Sequence, residues 1–298
     1  MMKRTSFLFW FKQSPKSFGA LFILFCWINT PVFSAAPSIS DAEAIPHVGE
    51  RARESYIDYL YADPHKAFAI GPGGAWAWQA GKASPQEAEQ AAIEYCERYS
   101  QQKCMAYALN DKLVFDSKQW STLWGPYLSK EQAAQVPIGN KVGQRFYNLV
   151  FKDENGKRKT IADLRGKVVF VHFWGSWCPA CMIEFPSLVR LQKQINQELG
   201  QQVELVILQA REPFSESIAW AKKNGFENVR LYDSGAKSLS DTDFLLADGS
   251  RIPDREIAKT FPTSFVLDKN GVVVFYHRGP VNNWLEYVDF FRDAARGS

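Results

Sequence analysis

Lys167-Val168-Val169-Phe170-Val171-His172-Phe173-Trp174-Gly175-Ser176-Trp177-Cys178-Pro179-Ala180-Cys181 decides how this chain is read. The apolar run from Lys167 to Trp174 predicts a buried strand, and the residues after Cys178 predict a helix. A cysteine at that junction sees the positive end of the helix dipole, which favours thiolate over thiol. Cys181, one turn along, can close a disulfide with it, so the pair has the layout of a redox switch. Half of a zinc site is the other use of such a pair. Zinc takes four ligands, and neither a second Cys-X-X-Cys nor a nearby histidine pair is present. We expect no metal and no cofactor.

The first 36 residues carry Lys3, Arg4, Lys12 and Lys16 and no acid. An apolar core of 11 residues follows from Phe18 to Ile28, then Asn29-Thr30-Pro31, then the small residues Ser34-Ala35-Ala36. This order is that of a secretory leader, and the core is shorter than the roughly 20 residues that span a bilayer. We read a cleaved leader, with an uncleaved N-terminal membrane anchor as the alternative. Removing the four basic residues takes the net charge from +3 to −1. No basic excess then remains to suggest nucleic acid. Of five cysteines, Cys26 lies in the leader and the other four form two close pairs. Paired cysteines in an exported chain fit an oxidising compartment such as the periplasm.

Behind the leader, residues 37–46 are rich in Ala, Ser and Pro and read as a tether. Residues 47–115 read as a small α+β domain. Lys66-Ala67-Phe68-Ala69-Ile70 and Ala75-Trp76-Ala77-Trp78 predict strands around the turn Gly71-Pro72-Gly73-Gly74. Ser84, Pro85 and Glu87 open a helix, as N-cap, first helical residue and capping-box acid. Met105-Ala106-Tyr107-Ala108-Leu109 predicts a third strand. Cys96 and Cys104 stand at the end of that helix and the start of that strand, where a structural disulfide is reasonable; neither has an activating helix N-terminus. Trp76 and Trp78 are expected to pack the core. Residues 116–136 read as a connector.

Residues 137–298 read as a second, α/β domain. Strands are expected at 146–150, 167–174, 203–208 and 229–232, with helices from Cys178 to about Leu199 and from a Ser215 cap to Lys223. Ser264-Phe265-Val266-Leu267 and Val272-Val273-Val274-Phe275 flank the turn Asp268-Lys269-Asn270-Gly271, a hairpin signal. A helix over 283–296 closes the chain. Strands alternating with helices imply a mixed central sheet flanked by helices. Residues 234–255 form an insert whose role the pattern leaves open.

With these pieces in view, residues 137–298 resemble the TlpA/ResA branch of thioredoxin-fold proteins, the exported thiol-disulfide oxidoreductases. Leu164-Arg165-Gly166-Lys167-Val168-Val169, the Cys178–Cys181 stretch and Glu184-Phe185-Pro186 carry the likeness. Phe261-Pro262-Thr263-Ser264-Phe265-Val266-Leu267-Asp268 adds to it. The resemblance implies a C-terminal thioredoxin fold preceded by the small α+β domain. It also implies that Pro262 is cis beside the disulfide, that Phe261 faces substrate, and that Glu184 is a partly buried acid serving Cys181. His172 stands where thioredoxin has a buried aspartate and the TlpA branch often has asparagine. His172 and Trp177 are therefore candidates for tuning the redox pair.

The expected chemistry is dithiol–disulfide exchange on protein disulfides, with Cys178 as the attacking thiolate and Cys181 resolving the mixed disulfide. Pro179-Ala180 lacks the histidine found between the cysteines of strong oxidants of the DsbA kind, which favours reduction. The resemblance points the same way, to cytochrome c maturation or metal-centre assembly and to a membrane electron donor of the DsbD/CcdA kind. A thiol oxidase or isomerase, and a partner-binding module with a structural Cys-X-X-Cys, are the alternatives.

Overall fold

A computed structural model describes residues 38–297; the leader read over residues 1–36 lies outside them. The described residues fall in a single compact unit, and none of their helices is long and apolar enough to cross a membrane. The stretch read as a tether is partly built in. Asp41 caps a 3-10 turn, Ala42–Ala44, and Ile45 buries in the main core. Helix α1, Glu50–Tyr61, follows. It buries Ala52, Tyr56 and Tyr59, a spacing that puts all three on one helical face.

Strands β1 (Ala67–Gly71) and β2 (Ala75–Gln79), helix α2 (Pro85–Glu97), and strands β3 (Met105–Leu109) and β4 (Lys112–Leu113) come next. The sheet order is β2-β1-β3-β4. Ser84 Oγ accepts the Glu87 N–H at 3.1 Å, and the Glu87 carboxylate accepts the N–H of Ala83 in return. One sheet face is alanine: Ala67, Ala69 and Ala77 meet Ala88 and Ala92 of α2 around the Cys96–Cys104 disulfide. Small residues let the helix lie close. A Cβ on Gly71 would come within 2.8 Å of Cys104 Sγ, so the strand needs glycine there. Closing a loop of this length contributes ~2–3 kcal/mol on a chain-entropy account. The opposite face presents Phe68, Ile70 and Tyr107 to α1. Trp76 and Trp78 are only half-buried against that cluster.

Helices α3 (Ser117–Trp120) and α4 (Lys130–Gln135) occupy the connector. Trp124 between them packs its indole against Phe275, Phe290 and Phe291 at 4.8–5.2 Å. One hydrophobic cluster thus runs from Tyr56 through Trp120 and Trp124 into the C-terminal half.

Strands β5 (Val150–Lys152) and β6 (Arg158–Thr160) form a hairpin, followed by β7 (Val168–Trp174), α5 (Pro179–Glu198), β8 (Val203–Gln209) and α6 (Phe214–Lys223). The insert holds β9 (Asp243–Leu245), β10 (Arg251–Pro253) and α7 (Asp254–Ile257). Strands β11 (Thr263–Leu267) and β12 (Val273–Arg278), a 3-10 turn Trp284–Tyr287 and α8 (Val288–Gly297) complete the chain.

The central sheet runs β12-β11-β7-β8, with β7 parallel to β8 and antiparallel to β11. All seven residues of β7 are buried, because its alternate side chains enter two cores. Phe170 and Trp174 face Cys181, Phe185 and Leu188 of α5. Val169, Val171 and Phe173 face Phe146, Ile161, Phe244 and Ile257. This is the mixed sheet between helices that the sequence implies.

Local details differ from the sequence reading. The strand expected at 146–150 pairs only from Val150; Leu149 makes an isolated bridge to Leu246, and Arg145, just before the stretch, one to Val272. The strand expected at 229–232 is reduced to a bridge at Tyr232. Helix α6 starts at Phe214 behind Pro213 with no side-chain cap. Ser215 is exposed, and the hydroxyl that finds a carboxylate is that of Ser217, on Glu212.

Candidate active site

Strand β7 ends at Trp174 and delivers the chain into a tight loop at the mouth of α5. A Cβ on Gly175 would sit 2.2 Å from the Trp177 indole nitrogen, so glycine is required there. That nitrogen donates to the carbonyl of Ala210 at 2.8 Å. The buried carboxylate of Glu212 accepts from Ser176 N and Ser176 Oγ, pinning the loop from below. Cys178 is the N-cap of α5, its Sγ accepting the Cys181 N–H at 3.2 Å, with Pro179 in the first turn.

Cys178 and Cys181 are joined as a disulfide. Cys178 keeps 4 % of its surface exposed and Cys181 none, so an incoming thiolate meets the first sulfur. As a thiolate, that sulfur would gain from the backbone N–H groups at the helix start and the positive end of the dipole.

The peptide between Phe261 and Pro262 is cis. Thr263 pairs with Phe173 and Ser264 with His172, which sets Pro262 at the sheet end where β7 releases the active-site loop. Phe261 is half-buried. Its ring meets Trp177 edge-on at 5.2 Å, with the guanidinium groups of Arg255 and Arg211 at 5.1 and 5.9 Å. Arg211 sits in the left-handed region, φ +59°, and holds Asp254 of the insert through two hydrogen bonds of 2.5 and 2.8 Å. Beside Trp177 a hollow of about 360 Å³ is lined by Arg211, Glu216, Lys237 and Leu239. The insert therefore reaches the active-site rim. Sequence reasoning missed Arg211, Glu212, Asp254 and Arg255, which carry no motif and meet only in the fold.

Beneath the disulfide lie two buried ionisable groups. Glu184 follows Cys181 by three residues on the same face of α5 and is 2 % exposed. Its Oε1 accepts from Val281 N at 3.0 Å and from the Trp284 indole N–H. Burial nevertheless pushes its carboxyl up to about 8. His172 is fully buried; its Nδ1 lies 2.9 Å from Ser264 Oγ and its Nε2 3.8 Å from Glu184 Oε2. Burial first, and His277 second, lower His172 to about 3. At neutral pH the two groups therefore meet as a carboxylic acid and a neutral imidazole, not as an ion pair.

The pH dependence of stability has opposite signs for these groups. Glu184 titrates near 8 when folded against 4.5 ordinarily. Its stabilising contribution is present below the lower value and is lost as pH rises toward the higher, at about 1.4 kcal/mol per pH unit. His47, His172 and His277 are lowered to about 3, 3 and 4 from 6.5. Their contribution is present above the ordinary value and is lost on acidification. Glu184→Gln should remove only the first effect. The difference in urea midpoint between variant and wild type is expected to grow from pH 5 to pH 8. A difference that stays constant would mean that the folded carboxyl is already ionised at pH 5.

The redoxin family model matches residues 141–289. The chain is 30% identical over 158 residues to thiol-disulfide oxidoreductase ResA of Bacillus thuringiensis subsp. konkukian, covering 51% of this chain and 75% of that protein. It is 29% identical over 167 residues to ResA of Bacillus cereus (strain ATCC 10987 / NRS 248), covering 54% and 80%. Among solved structures, StoA from Bacillus subtilis aligns with 49% of this chain and 96% of its own, at 21% identity and a TM-score of 0.33.

Proposed function

Because this chain belongs to the redoxin family and is a thiol-disulfide oxidoreductase, we propose that it reduces protein disulfides by dithiol–disulfide exchange through Cys178 and Cys181. The observation that carries this reading is the disulfide at the N-terminus of α5, with only Cys178 reaching the surface. In the reduced protein Cys178 attacks a substrate disulfide as thiolate and displaces one substrate sulfur. Cys181 then gives up its proton and attacks Cys178 Sγ, which frees the second substrate thiol. Glu184 exchanges the proton with Cys181. Phe261 and Pro262 form the edge on which an extended substrate segment lies.

The reductive direction is supported by the uncharged Pro179-Ala180 between the cysteines and by the likeness to the ResA proteins. Electrons for the next turnover come, in this reading, from a membrane dithiol donor of the DsbD/CcdA kind. The protein works outside the cytoplasm after its leader is cleaved. The segment 47–115 acts as a support: Gln102 caps the carbonyl of Tyr276 on the edge strand β12 at 2.8 Å.

Trapping tests this reading. Cys181→Ala should leave Cys178 joined to substrate, giving adducts that a reductant releases on a denaturing gel. Adducts with disulfide-bonded exported proteins are expected. Adducts absent from Cys181→Ala under conditions where wild type turns over would remove the proposal. Adducts formed only when the variant's Cys178 is first charged as a mixed disulfide with glutathione and then offered reduced proteins would reverse the direction.

A further inference from the structure

Two polar atoms face each other under the disulfide without bonding. Among the described residues, His172 Nε2 and Glu184 Oε2 have no hydrogen-bond partner, and they lie 3.8 Å apart in a fully buried space. Buried polar atoms are rarely left unpaired, and each such case asks for an explanation.

Oε1 already receives two N–H groups, from Val281 and Trp284. It is therefore the carbonyl oxygen of the acid, and Oε2 carries the hydroxyl. Among the described residues the only hydrogen-bond partner of the Ser264 hydroxyl is His172 Nδ1. We assign the Ser264 hydroxyl as donor to Nδ1, which leaves that nitrogen bare and puts the ring hydrogen on Nε2. Two hydrogens then share the gap between Nε2 and Oε2, and no bond forms while Glu184 is protonated. Once Oε2 loses its proton it becomes a bare acceptor directly before an N–H.

We propose that His172 is a positioning residue that holds the Glu184 carboxylate, through Nε2–H, after Glu184 has given its proton to Cys181. The proposal rests on the reading of Cys178, Cys181 and Glu184 given above. In the reductive half-reaction an incoming dithiol donor attacks Cys178 Sγ as thiolate. The Sγ–Sγ bond breaks, its electron pair stays on Cys181, and the Oε2 proton of Glu184 moves to that sulfur. The donor's second thiolate then displaces Cys178, leaving the donor as a disulfide and the protein with Cys178 as thiolate and Cys181 as thiol. Glu184 is left as a carboxylate in a buried site, where an unpaired charge is costly. Val281 N–H, Trp284 Nε1–H and His172 Nε2–H give it three donors, the third engaging only in this state. Ser264 sits two residues after Pro262 on β11, so the strand that begins at the substrate edge also sets the histidine tautomer.

Other groups facing the pair are Cys178 and Cys181 on α5, His277 on β12, and Tyr287 with Glu286 beyond it on the 3-10 turn. His277 is lowered to about 4 and Tyr287 is raised, both by burial. In the disulfide form the cysteines do not titrate, so Glu184 can be followed alone.

The test is a carbon-13 titration of the Glu184 carboxyl in the oxidised full chain, assigned by its loss in Glu184→Gln. His172→Phe keeps an aromatic ring beside Phe170, to which His172 is stacked at 5.8 Å, and removes the donor. Its Glu184 titration should move up by about one pH unit. His172→Gln, which can present an N–H, should restore most of the shift. Ser264→Ala releases the tautomer without touching the ring and should move the titration the same way by a smaller amount. Unchanged titration in both His172→Phe and Ser264→Ala overturns the proposal while leaving the role of Glu184 standing. If instead Glu184→Gln reduces and reoxidises with the same pH profile as wild type, the reading of Glu184 fails, and this inference with it.

Discussion

Cys178→Ala is expected to reduce the turnover of a protein disulfide such as that of insulin by on the order of 10³-fold or more, to background. The loss is steric as well as chemical. Cys181 has no exposed surface, so with Cys178 removed no active-site sulfur can be approached in line by a substrate disulfide. Among the described residues, the other cysteines do not substitute. Cys96 and Cys104 are joined to each other inside the alanine-lined core under α2, and neither stands at a helix N-terminus. Turnover in Cys178→Ala within tenfold of wild type would show that catalysis does not run through this motif.

Trp284→Ala is expected to carry the second largest effect, a loss of ~3–5 kcal/mol in stability, read from urea unfolding. The indole is fully buried and packs edge-on against Phe170 at 4.9 Å, with Tyr287 at 5.1 Å. Its backbone N–H donates to Ser187 Oγ at 2.7 Å, tying the 3-10 turn to α5. The ring N–H is one of the two that already hold Glu184. Trp284→Phe separates these roles, because it keeps most of the apolar contact and removes the donor. That variant should lose about 1–2 kcal/mol and raise the Glu184 titration further. A cost below about 1 kcal/mol for Trp284→Ala would mean that the turn repacks freely and does not anchor the site.

Much of the site's frame is written locally. Cys178 as N-cap, Pro179 in the first turn and the apolar run of β7 are neighbours in sequence, and capping and burial periodicity act over a few residues. The β11–β12 hairpin was equally legible, since Asp268 Oδ1 accepts from Asn270 within the four-residue turn and from Val272 just after it. Helix α1 escaped notice because two of its three buried residues are tyrosines among charges and its cap is Gly49 without a side chain. The stripe Ala52, Tyr56, Tyr59 is the signal that could have found it. Strands at 146–150 and 229–232 shrank because short apolar runs state burial and not pairing. Tyr232, for one, sends its hydroxyl to Glu204 at 2.6 Å and keeps only a single bridge.

Taken alone, the sequence determined that the chain carries a paired-thiol switch on a strand–loop–helix frame inside a mixed sheet. Those features follow from covalent spacing and from periods of two and 3.6 residues. The exposure of Cys178 follows from its place before the helix; only the tertiary structure decided the charge states of the groups beneath the disulfide. Glu184 and His172 are ordinary residues by type. Burial by strands and turns nearly a hundred residues further on favours a neutral acid and a neutral imidazole, while the Val281 and Trp284 N–H groups pull Glu184 the other way, toward the carboxylate. The charge state of a buried group is set by the water it has lost and the donors it has gained, and neither can be counted until distant strands and turns have come together.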